Sequence, residues 1–354
     1  MANEAAEGQL VGRLGEMALG ALTLNLVGVG DDLGLFYTLA PKPLTSADLA
    51  AAAKVDARYI KEWCLHMAAQ QMLVYDKGTN TFGLPAGGKV FTDPKYDKAL
   101  STTSSVPGHL SMRKRLTQVY RTGEGISYGE YPDLVPKGTC RFFKPLYEVH
   151  LIDFLPEEIK SRLREGIVVA DVGCGMGVST RLLAKAFPKS TFVGTDFYAP
   201  CITEAIKQKD AEGLSNTRFA VADAKDFGSE GEFDLVLFLD CFHDMAVADK
   251  AAQRSFTVLR PKGLVFLMEL LAPDEDSVEA QLALPSCAEL TAYSCHGCLP
   301  NARGEKGDGC AMGTTCATEK HRELFVGAGF KSLERLSVDT ATKMWFRLLV
   351  ARKG

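Results

Sequence analysis

Residues 167–177 read IVVADVGCGMG, and VSTRLLAKAF follows at 178–187. The opening positions are β-branched and apolar, the texture of a strand buried on both faces. The run after the glycines has helical apolar spacing and places an amphipathic helix near Ser179–Phe187. Between them lie Gly173, Gly175 and Gly177. Glycines at such a turn let the backbone approach a ligand closely, and the first N–H groups of the helix then face polar ligand atoms.

Outward from this unit the rhythm repeats. Thr191–Asp196, Arg218–Ala222, Phe233–Asp240 and Leu264–Leu270 are short, apolar and β-branched. Amphipathic stretches near Pro200–Ala211 and Ala246–Leu259 separate them. That alternation predicts an α/β, doubly wound Rossmann-like sheet. Lys331–Val338 and Met344–Ala351 read as a closing antiparallel pair. Residues 272–318, rich in Gly and Cys, interrupt the rhythm as a long irregular insertion, the kind of segment that carries function.

Upstream the texture is helical. Leu10–Leu39 reads as one or two packed helices. Ser46 can cap a short helix over Ala47–Ala53, and Ala57–Gln71 has helical spacing at Ile60, Cys64, Met67 and Ala68. Met72–Tyr75 and Thr81–Leu84 then flank the turn Lys77-Gly78-Thr79-Asn80 as a hairpin. Helix, turn, helix, hairpin is the order of a winged helix. The expected organisation is a winged-helix and dimerisation domain at 1–100, a helical lid at 101–160, and the α/β domain at 161–354.

The chain has 354 residues, 46% hydrophobic and 24% charged, with a formal net charge of -4. An acidic balance argues against a partner bound through phosphates. The run Arg113-Lys-Arg115 reads as a solvated helix face. The sequence reading finds no stretch of about 18 apolar residues able to span a bilayer; Met17–Gly30 comes nearest. MANEAAEGQL carries no basic segment and no apolar signal core. A cytoplasmic protein is expected, its ten cysteines reduced thiols.

Chemistry concentrates at the strand ends. Asp171 opens the glycine turn. A nicotinamide dinucleotide site has G-x-G-x-x-G, with the helix dipole on a pyrophosphate. Here the third glycine comes one residue early and Val178 stands in its place. A carboxylate at that point suits a cationic amino-acid group better than a pyrophosphate. Asp196 ends the second strand about 20 residues on, where an acid accepts from ribose hydroxyls. Asp223-Ala224 ends the third, where an adenine amino edge would lie, with Phe197 able to cover the ring. Asp223 alone also fits a helix cap.

Together, DVGCGMG, GTDF, ADA, FDLVLFLD and LRPKG resemble the class I S-adenosylmethionine-dependent methyltransferases, over Ile167–Lys353. The resemblance implies a seven-stranded sheet with an antiparallel last strand, and contacts from Asp171, Gly173, Gly175, Asp196 and Asp223 to S-adenosylmethionine, released as S-adenosylhomocysteine. Gly177, Phe197, Ala224 and Asp240 complete the expected cofactor set. The winged helix, Asp240-Cys-Phe-His243-Asp244, and Leu290-Thr-Ala-Tyr-Ser-Cys-His-Gly-Cys298 resemble a narrower, mostly bacterial group that methylates small molecules. In that group the N-terminal region contributes to dimerisation and lids the substrate pocket. The resemblance implies a homodimer and a small-molecule acceptor.

His243 lies past the fourth strand, on the edge that faces ligands in open α/β sheets. Methyl transfer from a sulfonium is an in-line displacement that mainly needs alignment; an acceptor carrying a proton also needs a base. His243 fits either role, with Asp240 or Asp244 orienting its ring. His109, Tyr37 and Phe36 are the N-terminal candidates for the substrate pocket, and Tyr293 and His296 the candidates in the insertion. Cys295, Cys298, Cys310, Cys316 and His321 could ligate zinc, but the loose spacing of the second cysteine pair argues against it, and no metal is expected. A redox pair at Cys295 and Cys298 is a weaker reading. The competing class is a ligand-responsive DNA-binding regulator, which a winged helix permits. Among the early residues of its would-be recognition helix, only Arg58 and Lys61 are basic, with Glu62 beside them.

Overall fold

The structure is a computed structural model that describes residues 2–337 and 345–354. The chain forms two compact units, one of residues 1–107 with 137–145, the other of 108–136 with 146–354.

In the first unit a 31-residue helix, Ala2–Asp32, stops where Gly34 turns left-handed, and Leu35–Leu39 follows. By length and composition its Glu4–Asp32 portion could cross a membrane, with 11% of its most apolar window buried. This corrects the sequence reading, which confined the candidate to Met17–Gly30 and judged it too short. The helix runs unbroken through Gly8, Gly12, Gly15 and Gly20, because isolated glycines weaken a helix without ending it.

The winged-helix order then appears. Thr45, not Ser46, caps the helix Ser46–Ala53, its side chain accepting the N–H of Asp48. Asp56 caps Ala57–Ala69. The hairpin consists of β1 (Val74–Asp76) and β2 (Thr81–Gly83), paired antiparallel. Asp76 Oδ1 holds its turn through the N–H groups of Gly78 and Thr79.

The core of this unit is aromatic and aliphatic. Phe36 is fully buried, stacked on Phe91 at 4.2 Å and edge-on to Trp63 at 5.3 Å. It is therefore a core residue, not a pocket wall. Trp63 Nε1 donates to the Leu26 carbonyl at 2.9 Å and locks the first helix. Arg141 pairs with Asp31 and Asp97, all three largely shielded from solvent.

The second unit holds the seven-stranded sheet. Its strands are β3 (Val168–Val172), β4 (Thr191–Asp196), β5 (Thr217–Val221), β6 (Phe233–Leu239), β7 (Leu259–Leu270), β8 (Ser332–Arg335) and β9 (Phe346–Arg352). The spatial order is β5-β4-β3-β6-β7-β9-β8. β9 runs antiparallel to both neighbours, and the remaining pairs are parallel. Val338 and Met344, expected ends of the last two strands, lie outside the described residues. The order reverses between β3 and β6, so a crevice opens at their carboxyl ends, where ligands bind in such sheets. Phe227, Phe233, Phe238, Phe242 and Phe325 fill the core behind it.

The insertion is more ordered than its composition predicts. Short helices cover Val278–Leu282, Cys287–Tyr293 and Leu299–Arg303, with a wide helical turn at Ser294–Cys298. Each segment is too short to show periodicity. Packing holds them in place of propensity.

The helix–tryptophan contact leaves no room at Gly30, where a Cβ would stand 2.4 Å from the Trp63 ring. Gly30→Ala should gain about 1 kcal/mol in helix propensity yet still destabilise the first unit by about 1–2 kcal/mol through overpacking. Urea unfolding followed by tryptophan fluorescence tests this; an unchanged or higher midpoint would refute the contact.

Candidate active site

β3 delivers Asp171 to the start of the glycine turn, and the helix Val178–Ala186 begins at its end. Gly173, Gly175 and Gly177 adopt φ of 73°, 53° and 70°, a region costly for residues with a Cβ. At Gly177 a Cβ would also collide with the Phe219 ring at 2.6 Å. The Gly173 and Cys174 N–H groups donate to the Thr195 carbonyl at 2.8 and 3.0 Å, tying the turn to β4. At Gly175, nothing lies within 4 Å of where a Cβ would point. The turn is open to a ligand on that side.

Asp171 is buried. Its Oδ2 accepts the hydroxyls of Ser179 and Thr180 at 2.7 and 2.6 Å. Its Oδ1 is buried and has no hydrogen-bond partner among the described residues. Burial pushes its pKa up against the pull of the two hydroxyls, and nearby Asp196 adds to the rise. A buried carboxylate oxygen beside an open glycine turn fits a cationic ligand group.

Asp196 closes β4 with Oδ2 accepting the Gly175 N–H at 2.9 Å and Oδ1 the Tyr198 N–H at 2.8 Å. Each oxygen keeps a lone pair for a ligand hydroxyl. Burial raises its pKa against these two bonds. Phe197 exposes 55% of its surface beside it. Asp223 holds a local turn: Oδ1 accepts the Lys225 N–H at 3.1 Å and Oδ2 lies 3.3 Å from Lys225 Nζ. Its neighbour Ala224 packs against the sheet core.

Beyond β6 the chain turns through Asp240, whose φ is 58°. Burial drives its pKa up to about 8; His243 pulls it down, and the negative charges of Glu269 and Asp244 push it further up. Its Oδ1 is likewise buried with no hydrogen-bond partner among the described residues. His243, 2% exposed, sits in the single turn Phe242–Asp244. Its Nδ1 lies 2.5 Å from Glu269 Oε2, and its Nε2 lies 3.1 Å from Asp244 Oδ1. Burial alone would strip its proton, but the carboxylates of Asp244 and Glu269 reverse that and hold its pKa well above the usual histidine value.

Two carboxylates therefore flank the ring: Asp244, one of the two named by the sequence reading, at Nε2, and Glu269, which that reading missed, at Nδ1. β6 and β7 are parallel neighbours with Leu239 opposite Met268, so the residue after Met268 reaches the turn after Leu239. Proximity along the chain cannot reveal a cross-strand partner. The available signal was an acid inside the apolar run LVFLMEL.

The insertion closes on this turn from the same unit. Gly313 N–H donates to the His243 carbonyl at 3.0 Å and Cys310 N–H to that of Ala246 at 2.9 Å. His109, Tyr293 and His296 come together, joined by Tyr131, which the sequence reading did not name. His109 lies edge-on to Tyr131, Tyr293 and His296 at 5.6, 5.9 and 6.4 Å. The Tyr131 hydroxyl donates to the His296 carbonyl at 2.7 Å. Tyr37 belongs to the first unit, on the helix Leu35–Leu39, 52% exposed.

The five groups weighed as zinc ligands do not assemble. Cys310 turns to Asp249, Cys316 to the Ala317 carbonyl, and His321 Nδ1 also to Ala317. The CxxC splits, with Cys295 bonded to Tyr120 and Cys298 beside His243 and Asp244.

Residues 169–263 match the family model described as a methyltransferase domain, and residues 20–91 that of the Rv2258c-like winged HTH domain. The tRNA (guanine-N(7)-)-methyltransferase of Aeromonas hydrophila is 32% identical over 91 residues, 25% of this chain and 38% of that one. The matches span little more than a third of these curated relatives, 34–38% of their length. Solved structures of the same fold include mitomycin 7-O-methyltransferase MmcR, at TM-score 0.70 and 16% identity over 99% of this chain and 100% of that one. Human N-acetylserotonin methyltransferase, solved in complex with S-adenosylmethionine, has TM-score 0.66 and 17% identity, covering 98% of each chain. The chain thus carries a class I S-adenosylmethionine-dependent methyltransferase domain behind an N-terminal winged helix-turn-helix domain of the Rv2258c-like kind.

Proposed function

We propose that this protein transfers a methyl group from S-adenosylmethionine to a hydroxyl of a small, flat acceptor, with His243 receiving the acceptor's proton. The observation that carries it is the buried His243–Glu269 pair at the carboxyl edge of the sheet. Bound S-adenosylmethionine supplies an electrophilic methyl group on a sulfonium. Asp171, Asp240 and the glycine turn would hold its cationic end, Asp196 its ribose, and Phe197 and Ala224 its base.

The carbon–sulfur bond breaks as the oxygen–carbon bond forms, so the leaving thioether needs no proton. The acceptor hydroxyl must lose one. Glu269 on Nδ1 and Asp244 near Nε2 orient the ring. The two carboxylates favour the imidazolium, so the ring serves as base only in its neutral form, which rising pH populates, and the rate should climb with pH above the ordinary histidine range. The ring group of His109, Tyr131, Tyr293 and His296 favours a flat acceptor, since aromatic faces and edges pair with offsets of this kind. The names of the two solved structures, an O-methyltransferase and an enzyme acting on N-acetylserotonin, point the same way. A DNA-binding role is disfavoured by the chain's net charge of -4 and by Glu62 standing beside Arg58 on the would-be recognition helix.

The subunit interface we assign to the first helix. Leu10, Val11, Leu14, Met17 and Leu22 are more than half exposed at helical spacing, an apolar face of the kind that marks association. The cytoplasm is the proposed location.

Three outcomes test this reading. Asp171→Asn and Asp196→Asn should each weaken S-adenosylhomocysteine binding by about tenfold or more in calorimetry, the worth of a hydrogen bond to a charged group; unchanged affinity in both would refute the cofactor assignment. His243→Ala should keep that affinity and slow turnover by about 10²–10⁴-fold, with Glu269→Gln falling in the same direction; the assay is labelled-methyl transfer onto metabolite extract, and an undiminished rate removes His243 from the mechanism. Sedimentation should give twice the chain mass of 38.3 kDa, and Leu14→Glu with Met17→Glu should give monomers; a monomeric wild type would sink the interface.

A further inference from the structure

The insertion brings Cys298 to the turn that carries the base, and the proposed function leaves that thiol without a role. Its Sγ, a nitrogen of His243 and a carboxylate oxygen of Asp244 all lie within 4.8 Å of one another. Among the described residues, no other set of three or more His, Cys, Asp and Glu ligand atoms converges in this way. We propose that His243, Asp244 and Cys298 form a zinc site, and that zinc bound there silences the enzyme by occupying Nε2 of the base.

Three observations converge on it. Zinc bonds of about 2.0–2.3 Å in a tetrahedron place ligand atoms roughly 3–4 Å apart, and Nε2 to Asp244 Oδ1 is 3.1 Å. Nδ1 of His243 is already held by Glu269 at 2.5 Å, the carboxylate–histidine–metal arrangement that fixes a ligating ring with its other nitrogen forward. The donor set is one nitrogen, one oxygen and one sulfur, which selects zinc over magnesium or calcium. Three protein ligands leave a fourth position open.

The ligands come from two separate segments. His243 and Asp244 follow β6, whereas Cys298 ends the wide turn Ser294–Cys298. The Gly313 N–H on the His243 carbonyl holds the insertion against that turn. The two segments are therefore already in contact, and zinc would draw the three ligand atoms in from within 4.8 Å of one another. Binding does not depend on the catalytic reading, but the effect on turnover rests on His243 being the base.

The test uses the full chain after chelator treatment and dialysis. Zinc titrated against a chromophoric chelator should bind at one equivalent per chain. Cys298→Ser should weaken it by more than about 100-fold, beyond the roughly 10–100-fold loss typical of a merely supporting residue, while Cys295→Ser should not. Cobalt in place of zinc should give an ultraviolet thiolate-to-metal charge-transfer band, lost in Cys298→Ser and kept in Cys295→Ser. Absence of stoichiometric binding, or a band that follows Cys295, overturns the site and leaves the base reading standing. In the methyl-transfer assay zinc should lower the rate at least tenfold, reversed by chelator, and the ratio of rates with and without zinc should approach one in Cys298→Ser. Stoichiometric binding with no change in rate keeps the site but overturns the silencing, and with it the role of His243 as base.

Discussion

A single buried carboxylate organises the working edge of the sheet. Glu269 sits on β7, fully buried among apolar strands, where an isolated charge costs several kcal/mol. Its neighbours offset that cost in three directions. The Phe242 N–H donates to Oε1 at 3.0 Å, His243 meets Oε2 at 2.5 Å, and Arg347 stands opposite on β9. Burial alone would push its pKa up; the positive field of His243 first, joined by that of Arg347, carries it below the ordinary value. Arg347 in turn bonds Thr318 Oγ1 and the Cys316 carbonyl at 3.0 and 2.5 Å. One charge thus fixes the turn after β6, the histidine ring upon it, and the far end of the insertion.

The cofactor side of the crevice follows a different electrostatic logic. Asp171 and Asp240 are buried carboxylates with an oxygen each left without a hydrogen-bond partner among the described residues, and burial raises the pKa of both. Asp196 joins them from β4 with its pKa also raised. Asp171 and Asp196, held at a cost at the ends of adjacent strands, favour a cation over a pyrophosphate, while Asp240, with its pKa raised to about 8, is largely protonated at neutral pH and offers a hydrogen-bond donor instead. This accounts for the early third glycine. The helix N-terminus here is not asked to neutralise a phosphate, so the turn can tighten and leave Val178 to pack.

The fold was legible because its signals are local and repeated. Strand texture, the glycine turn and helical spacing placed β3 to β6 and the helices between them within about two residues, but started β7 at Leu264, five residues after it begins at Leu259. The hairpin of β1 and β2 was announced by Lys77-Gly78-Thr79-Asn80. What escaped were relations across the sheet or between distant segments. Glu269 lies 26 positions from His243 along the chain yet touches it, and only the strand register says so. Tyr131 and His296 are 165 apart. The short helices of the insertion have too few turns for periodicity. Phe36 read as a pocket residue because an aromatic beside a tyrosine looks the same whether it faces a core or a cleft. Thr45 and Ser46 are equivalent caps by chemistry, and packing chose between them.

The same distinction governs where specificity resides. The cofactor edge is built from strand ends and the glycine turn, where backbone conformation does much of the work and substitutions are strained. The ring group is built otherwise. The Gly125 and Ile126 N–H groups donate to the carbonyls of Gly304 and Pro300, and Arg303 donates to the Gly123 carbonyl. Main-chain carbonyls hold the segment carrying Tyr128 and Tyr131 against the insertion carrying Tyr293 and His296. Because the frame is held by backbone, the side chains of the ring group, which the proposed function turns toward the acceptor, can change without loosening it. Sheet, glycine turn and His243–Glu269 pair can then stay constant while the ring group is recut for another acceptor, and cofactor chemistry is readable from motifs where acceptor identity is not.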